Sequence, residues 1–275
     1  MAEKTSIEWC DSTWNPWIGC QKVSPACDHC YAETLTARFG QVEWGPGKPR
    51  KRTSAANWRK PIKWNRDAAA FAEKHGRRQR VFCASLADVF DNAVDPQWRA
   101  DLFGLIDATP NLDWLLLTKR IGNVAGMLEA MGRECLPPHV WLGATICNQE
   151  EAGRDVPKLL DTPAAVRFLS CEPLLAPVDL RAVPWGHSNA LNRLDWIIVG
   201  GESGAGARPM HPDWARSLRD QCQAAGIPLF FKQWGEHLLS KERHLHGFPA
   251  GDFVDHLDAG GGFIRVGKKR AGRLL

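Results

Sequence analysis

The chain has 275 residues, of which 44% are hydrophobic and 24% are charged, and its formal net charge is +4 at neutral pH. This composition argues against an intrinsically disordered chain and predicts a globular protein with a full hydrophobic core. No window reaches the roughly 18 uninterrupted apolar residues of a transmembrane helix, and the N-terminus lacks an apolar signal region, so we expect a cytoplasmic protein without a membrane partner.

The first predicted strand, near residues 13–18, leads into a loop that contains three cysteines. This loop, GCQKVSPACDHCY at residues 19–31, has the spacing C-x6-C-x2-C through Cys20, Cys27 and Cys30. A closed zinc site takes four ligands, whereas three thiolates around a [4Fe–4S] cluster leave one iron open to a cosubstrate. The loop therefore predicts an iron–sulfur cluster. A zinc site with a fourth ligand elsewhere, and no metal at all, are the alternatives.

The other cysteines do not form a second motif. The total of nine is odd, which favours reduced thiols over a disulfide framework. We interpret the six cysteines outside the loop as small apolar residues: Cys10, Cys83, Cys135, Cys147, Cys171 and Cys222. Cys171 is the exception to watch, because it lies beside Glu172 at a predicted strand end.

A basic stretch follows the cysteine loop. Residues 45–66 contain no Asp or Glu but many Lys and Arg, with two tryptophans among them. This combination is typical of a surface that binds nucleic-acid phosphates and stacks on bases, although a solvated charged surface is the simpler alternative. The candidate nucleic-acid contacts here are Arg50, Lys51, Arg52, Trp58, Arg59, Lys60 and Trp64.

Six short apolar segments then recur at intervals that leave room for a helix. They lie at residues 80–86, 113–119, 140–146, 166–172, 195–201 and 228–234. Continuous apolar runs of this length predict strands that are buried on both faces. Helix-compatible stretches lie between them at residues 96–110, 121–132 and 211–226.

Alternating strands and helices predict an α/β fold with a parallel sheet. We expect a full or partial (β/α) barrel of about six to seven strands over residues 1–234, with a basic insertion at about residues 44–80. The alternation is lost after Trp234. We therefore interpret residues 235–275 as a C-terminal extension or lid.

Polar residues follow each predicted strand. In a parallel barrel the reactive face lies at the carboxyl ends of the strands, so these residues predict one shared site. The candidate catalytic residues are Lys119, Cys171, Glu172 and Glu202, and the cations Arg120, Arg208 and Lys232 favour an anionic substrate. Two of the polar residues have structural alternatives, because Asp88 could cap a turn and Asn148 could cap a helix.

Several motifs of the chain resemble a known family. The stretches IEWCDSTWNPWIGC, SPACDHCYAE, LLLTKR, WLGATICN, CEPLL, DWIIVGGESGAGARP and FFKQWG resemble the phage-associated three-cysteine-motif family, which has no assigned function. This resemblance runs from about residue 6 to residue 235. The cysteine loop is also similar to that of the radical S-adenosylmethionine (radical SAM) superfamily, which commonly reads C-x3-C-x2-C, whereas this chain has six residues in the first gap.

The resemblance implies a radical SAM-type fold with S-adenosylmethionine as the cosubstrate. It implies that the three loop cysteines hold a [4Fe–4S] cluster and that His29 stacks near the adenine. By the same resemblance, Ser85 and Asp88 would face the methionine amino group. Thr145 and Asn148 would contact the ribose hydroxyls, and Glu172 the ribose or the methionine amine.

Two functions follow as hypotheses. The first is a radical SAM enzyme that takes an electron from an external donor, cleaves S-adenosylmethionine to a 5′-deoxyadenosyl radical, and modifies or repairs a nucleic acid or nucleotide. The second is a non-enzymatic nucleic-acid-binding protein whose cysteines hold zinc or a structural cluster. A peptide or small-metabolite substrate is a further alternative within the first.

Overall fold

The structure is a computed structural model that describes residues 5–40, 42–186, 188–242, 255–256 and 262–275. The strands are β1 (Ser12–Trp14), β2 (Trp17–Ile18), β3 (Lys51–Arg52), β4 (Gln79–Cys83), β5 (Leu112–Thr118), β6 (Val140–Thr145), β7 (Val166–Cys171), β8 (Pro184–Trp185), β9 (Ser188–Asn189), β10 (Trp196–Gly200), β11 (Leu229–Gln233), β12 (His237–Leu239), β13 (Asp255–His256) and β14 (Phe263–Arg265). The α-helices are α1 (Tyr31–Arg38), α2 (Ala55–Trp58), α3 (Lys60–Arg66), α4 (Ala68–His75), α5 (Pro96–Asp107), α6 (Val124–Ala130), α7 (Gln149–Asp161), α8 (Pro212–Ala225) and α9 (Lys268–Ala271). Short 3₁₀ turns lie at Pro25–Cys27, Ile121–Asn123, Leu180–Ala182 and Leu191–Arg193.

The main sheet has seven strands in the order β1-β4-β5-β6-β7-β10-β11. The six predicted apolar segments are β4, β5, β6, β7, β10 and β11, and the predicted first strand begins as β1. This confirms the α/β fold class with parallel strands. β1 and β11 are the two edge strands of the sheet, so the sheet is not closed. Of the two predicted forms, the partial barrel is therefore the one observed.

The register of the parallel strands explains their apolar sequences. Trp14 of β1 lies opposite Cys83 of β4, Cys83 lies opposite Leu116 of β5, and Leu116 lies opposite Leu142 of β6. All four side chains are fully buried. A strand covered on both faces cannot alternate apolar and polar residues, and these strands therefore read as continuous apolar runs.

Helix ends follow the signals in the sequence. Asp95 accepts a hydrogen bond from the Gln97 N–H at the start of α5, and the His211 ring accepts one from the Asp213 N–H at the start of α8. Gly226 ends α8 in the left-handed region, at φ +69°. These side chains satisfy backbone groups that a helix leaves unpaired at its ends, and the predicted helices accordingly begin and end close to their predicted positions.

The chain divides into two compact units. The first consists of residues 1–23, 32–144 and 158–168, and the second of residues 24–31, 145–157 and 169–275. That residues 235–275 form a separate extension or lid stays a prediction. Of these residues, 243–254 and 257–261 lie outside the described residues. Its described strands form a small antiparallel sheet in the order β12-β14-β13.

In the part of the chain that the structure describes, no helix has both the length and the apolar character needed to cross a bilayer. The longest of the described helices, α8, has 14 residues.

A test of the packing between neighbouring strands is available at Gly143 in β6. A Cβ atom at this position would overlap the ring of the fully buried Phe168. We expect Gly143→Ala to lower the free energy of unfolding by about 1–3 kcal/mol, measured by urea denaturation. The matched control is Gly104→Ala in α5, where the added methyl meets no atom within 4 Å and should stabilise the helix by up to about 1 kcal/mol. Equal effects of the two substitutions would contradict this packing.

Candidate active site

In the first unit, polar side chains at the carboxyl ends of β1, β4 and β5 form a connected network. Asn15, which follows β1, donates to the Ser85 hydroxyl at 3.1 Å and accepts a hydrogen bond from the Leu86 N–H at 2.7 Å. Asn15 therefore fixes the backbone of the turn after β4. The Ser85 hydroxyl, a predicted cosubstrate contact, has Asn15 as a protein partner.

Asp88 is the centre of this network. Its carboxylate accepts hydrogen bonds from the Thr118 hydroxyl at 2.7 Å, the Lys119 and Phe90 N–H groups, and the Arg120 guanidinium. These donors occupy the carboxylate oxygens of Asp88. Asp88 therefore caps the turn, which is the structural alternative that the sequence allowed for it. The ammonium of the half-buried Lys119 has no partner among the described residues.

Arg120 connects this network to the first cysteine of the loop. Its Nη1 donates to the Cys20 Sγ at 3.3 Å and to Asp88 at 3.1 Å, and its Nη2 donates to the Gln21 carbonyl at 2.9 Å. Burial, followed by the nearby Asp88 carboxylate, raises the pKa of the Cys20 thiol to about 11, although Arg120 acts in the opposite direction. The carboxyl ends of β4 and β5 thus position Cys20.

Two predicted nucleic-acid contacts need correction. The Arg50 side chain is 1% exposed and pairs with the fully buried Asp91 at 2.8 Å. Trp64 is 6% exposed on the inner side of α3. Neither side chain is available to a phosphate or a base, because each is used in the packing of the first unit.

In the second unit, the ends of β7 and β11 place two opposite charges together. Lys232 Nζ lies 2.6 Å from Glu172 Oε1, and both side chains are partly exposed. Glu172 also packs against Gly200, where a Cβ atom would lie 3.3 Å from the Glu172 side chain. Three predicted site elements, β7, β10 and β11, therefore meet at this ion pair.

At the carboxyl ends of β6 and β11, two buried polar atoms have no hydrogen-bond partner among the described residues. These are the Thr145 hydroxyl at the end of β6 and the Gln233 Oε1 at the end of β11. The Gln233 amide nitrogen donates to the Gly201 carbonyl at 2.7 Å. A buried polar atom without a partner is costly in a folded protein, so both atoms are candidates for contact with a ligand.

Arg208 holds the second half of the cysteine loop. Its Nε and Nη2 donate to the buried Glu202 carboxylate, at 2.9 and 2.7 Å. Its Nη1 donates to Asp28 at 2.9 Å and its Nη2 also donates to the Pro25 carbonyl at 2.8 Å. The predicted substrate contact Arg208 and the predicted catalytic Glu202 therefore serve to position the segment that contains Cys27.

His29 of the cysteine loop lies against the glycine-rich segment that follows β10. A Cβ atom at Gly206 would lie 2.8 Å from the His29 ring, so only a glycine lets this backbone approach the ring so closely. Cys27 ends the 3₁₀ turn and is buried, whereas Cys30 is half-buried at the start of α1. Across the described ranges, no group of three His, Cys, Asp or Glu side chains is arranged so that it could hold a metal ion.

Asn148 and Cys171 are occupied by structural roles. The Asn148 side chain accepts a hydrogen bond from the Glu151 N–H at 2.8 Å, which is the helix-capping alternative. Cys171 is fully buried, and burial raises the pKa of its thiol. Its predicted catalytic role is corrected to that of a small apolar residue, since it has no access to a substrate.

Sequence reasoning gave no role to four residues of these networks: Asn15, Asp28, Asp91 and Gln233. A signal was present for three of them. Asn15 and Gln233 stand at the carboxyl ends of strands, where the parallel fold places functional groups, and Asp28 lies between two loop cysteines. No local pattern marked Asp91 as a partner of Arg50.

Comparisons with known proteins identify the family of the chain. A family model described as a protein of unknown function (DUF5131) matches residues 4–275, and the chain belongs to this family. A search of curated proteins finds no match. Two structures of spore photoproduct lyase are similar. One is a double mutant with bound AdoMet and dinucleoside spore photoproduct, at 11% identity and a TM-score of 0.40, covering 92% of this chain and 68% of that chain. The other is a single mutant, at 12% identity and a TM-score of 0.43, covering 96% of this chain and 71% of that chain.

The Arg208 contacts predict how the cysteine loop responds when they are removed. In Arg208→Met, we expect alkylation of Cys27 in the metal-free protein to accelerate by at least about tenfold, because hydrogen bonds between charged groups hold the segment closed. The rate is measured by quenched alkylation and peptide mass spectrometry. The exposed Cys135 is the internal control and should react at an unchanged rate. Unchanged Cys27 reactivity would show that Arg208 does not hold the loop.

Proposed function

We propose that this member of the DUF5131 family is a radical SAM enzyme. In this proposal Cys20, Cys27 and Cys30 hold a [4Fe–4S] cluster, and S-adenosylmethionine binds the iron that has no protein ligand. The observation that carries the proposal is the contact of Arg120, at the end of β5, with the Cys20 sulfur. It supports a cysteine loop that stands at the carboxyl edge of a parallel sheet, which is the edge where α/β proteins of this type bind ligands.

The chemistry of the donor set fits an iron–sulfur cluster. Cysteine sulfurs are its usual ligands, and a thiol loses its proton on binding metal even where its pKa is high, as that of Cys20 is. An N–H donor on a ligand sulfur, as Arg120 provides, is the kind of contact that tunes such a cluster. The closing of all three thiols around the cluster is part of the proposal.

When bound, the cluster would supply an electron that cleaves a C–S bond of S-adenosylmethionine and yields a 5′-deoxyadenosyl radical. The residues that fit the cosubstrate best are those whose polar atoms have no hydrogen-bond partner or are partly exposed. The unpartnered Thr145 hydroxyl suits a ribose hydroxyl, and the partly exposed Glu172 carboxylate suits a ribose hydroxyl or an amine. Lys232, 2.6 Å from Glu172 Oε1, would hold this side chain in place. The buried Gln233 Oε1 adds an acceptor at the end of β11, to which the sequence analysis gave no role in the site.

The test is anaerobic reconstitution of the full chain with iron and sulfide. We expect a reduced cluster whose EPR spectrum changes when S-adenosylmethionine is added, together with formation of 5′-deoxyadenosine when dithionite replaces the external electron donor. Cys27→Ala should abolish both signals and leave the far-UV circular dichroism unchanged, because a loop residue does not contribute to the sheet. The matched control is Cys135→Ala, which removes an exposed cysteine outside the loop and should keep both signals.

Two results would contradict the proposal. One is evidence for a structural metal, seen either as stoichiometric zinc in place of iron or as a cluster that does not respond to S-adenosylmethionine. The other is unfolding of the whole chain in Cys27→Ala, which would show that the loop stabilises the fold and does not serve chemistry.

A further inference from the structure

The structure separates the basic stretch, residues 45–66, into two groups of cations. Arg50 and Arg52 are neutralised, since they pair with Asp91 and Asp101 at 2.8 and 2.7 Å. Lys51, Arg59 and Lys60 are exposed, and within the described residues none of them has a carboxylate partner. The run of like charge in the sequence is therefore not uniform: part of it holds the first unit together and part faces solvent.

The exposed cations concentrate on one side of α3. Pro61 and Trp64 are buried on the inner side of this helix. Arg59, Lys63 and Arg66 are exposed, and their spacing of three and four residues places them together on the outer side. Lys60 is also exposed, at the first residue of the helix. We call these four residues the basic face. Arg66 shares its charge with the exposed Asp67, at 3.2 Å.

The basic face stands on a rigid base. The Trp14 indole N–H donates to the Asn57 carbonyl at 3.0 Å, and the Trp14 and Trp58 rings meet edge to face at 5.3 Å. Trp14 is fully buried in the first strand of the main sheet. Helices α2 and α3 are thereby fixed to the sheet, and a fixed array of cations loses little freedom on binding a regular array of anions.

The tryptophans of this region do not offer stacking surfaces. Trp64 is buried, and the Arg52 guanidinium lies over the Trp58 ring at 4.4 Å. A surface without free aromatic rings contacts the sugar–phosphate backbone and not the bases. This removes the base-stacking part of the sequence prediction and keeps the phosphate part.

We infer that the basic face is a docking surface for the phosphate backbone of a nucleic acid. Binding is then insensitive to sequence and falls steeply with salt, because each neutralised phosphate releases counterions. In the enzyme proposed above, nucleic acid would be the substrate class. Only this statement rests on the proposed function. The docking surface itself does not depend on the cluster or on S-adenosylmethionine.

The test is fluorescence anisotropy with a labelled DNA duplex of about 20 base pairs, titrated with the full chain between about 50 and 200 mM salt. In the variant Arg59→Gln, Lys60→Gln, Lys63→Gln, we expect the slope of log K against log salt to decrease in magnitude by about 2–3. The charge-conserving variant Arg59→Lys, Lys60→Arg, Lys63→Arg should keep the wild-type slope. A wild-type slope in this variant would show that the three positions tolerate substitution without loss of the fold.

The matched control removes the same charge elsewhere. Lys268→Gln, Lys269→Gln, Arg270→Gln neutralises three exposed cations of α9 and should leave the slope unchanged. Equal losses in the two neutralised variants would show that only net charge matters and would overturn the inference, as would absence of duplex binding by the wild type. Equally tight, equally salt-dependent binding of polyaspartate would overturn it in favour of an acidic protein partner.

Failure of the docking surface and failure of the proposed function can be told apart. Cys27→Ala, which lacks the proposed cluster, should bind the duplex with the wild-type slope. Loss of duplex binding in this variant would contradict the assignment to the basic face.

Discussion

The common direction of the strands in the main sheet is the constraint on which the candidate site depends. In a parallel sheet every strand ends at the same edge, and residues far apart in sequence meet there. Asn15 and Ser85 are 70 residues apart and share a hydrogen bond, and Glu172 and Lys232 are 60 residues apart and form an ion pair. Each unit therefore gathers its polar groups by strand direction, and the connecting helices need only return the chain to the starting edge.

The buried charges beside Cys20 have a meaning of their own. Arg50, Asp91, Asp88 and Arg120 are nearly excluded from water, and a buried ion pair is often no more stabilising than apolar residues of the same volume. Stability alone does not account for four such charges in one place. A guanidinium that donates to a sulfur and is neutralised by a carboxylate suits a thiol whose charge changes, since Arg120 can strengthen one contact as the other weakens. In the proposed enzyme, this network would hold Cys20 in place and stay in contact with its sulfur as the charge of the sulfur changes.

The sequence predicts those features that local pattern determines. Apolar runs such as DWLLLTK place the strands, and Asp95 and His211 place two helix starts, because burial on both faces and helix capping act over a few residues. It does not predict which cations are buried. Arg50 and Lys51 are neighbours in one basic run, and only the fold brings Asp91, 41 residues away, to Arg50. Arg208 is a similar case, since its partner Asp28 is 180 residues distant. The alternatives for Asp88 and Asn148 likewise depend on backbone N–H groups whose positions only the folded chain defines.

The glycine-rich segment after β10 shows how a sequence pattern and its physical role can differ. GGESGAGARP suggests a turn whose backbone amides bind an anion. In the second unit the Gly204 N–H donates to the Glu236 carboxylate at 3.0 Å, so a protein group takes the place of such an anion. The other glycines are needed for close packing: a Cβ atom at Gly201 would overlap the Trp234 carbonyl, and one at Gly206 would overlap the His29 ring. The glycines let this segment pass close enough to the cysteine loop for Arg208 to reach it, which makes the segment a support for the loop and not a nucleotide-binding turn.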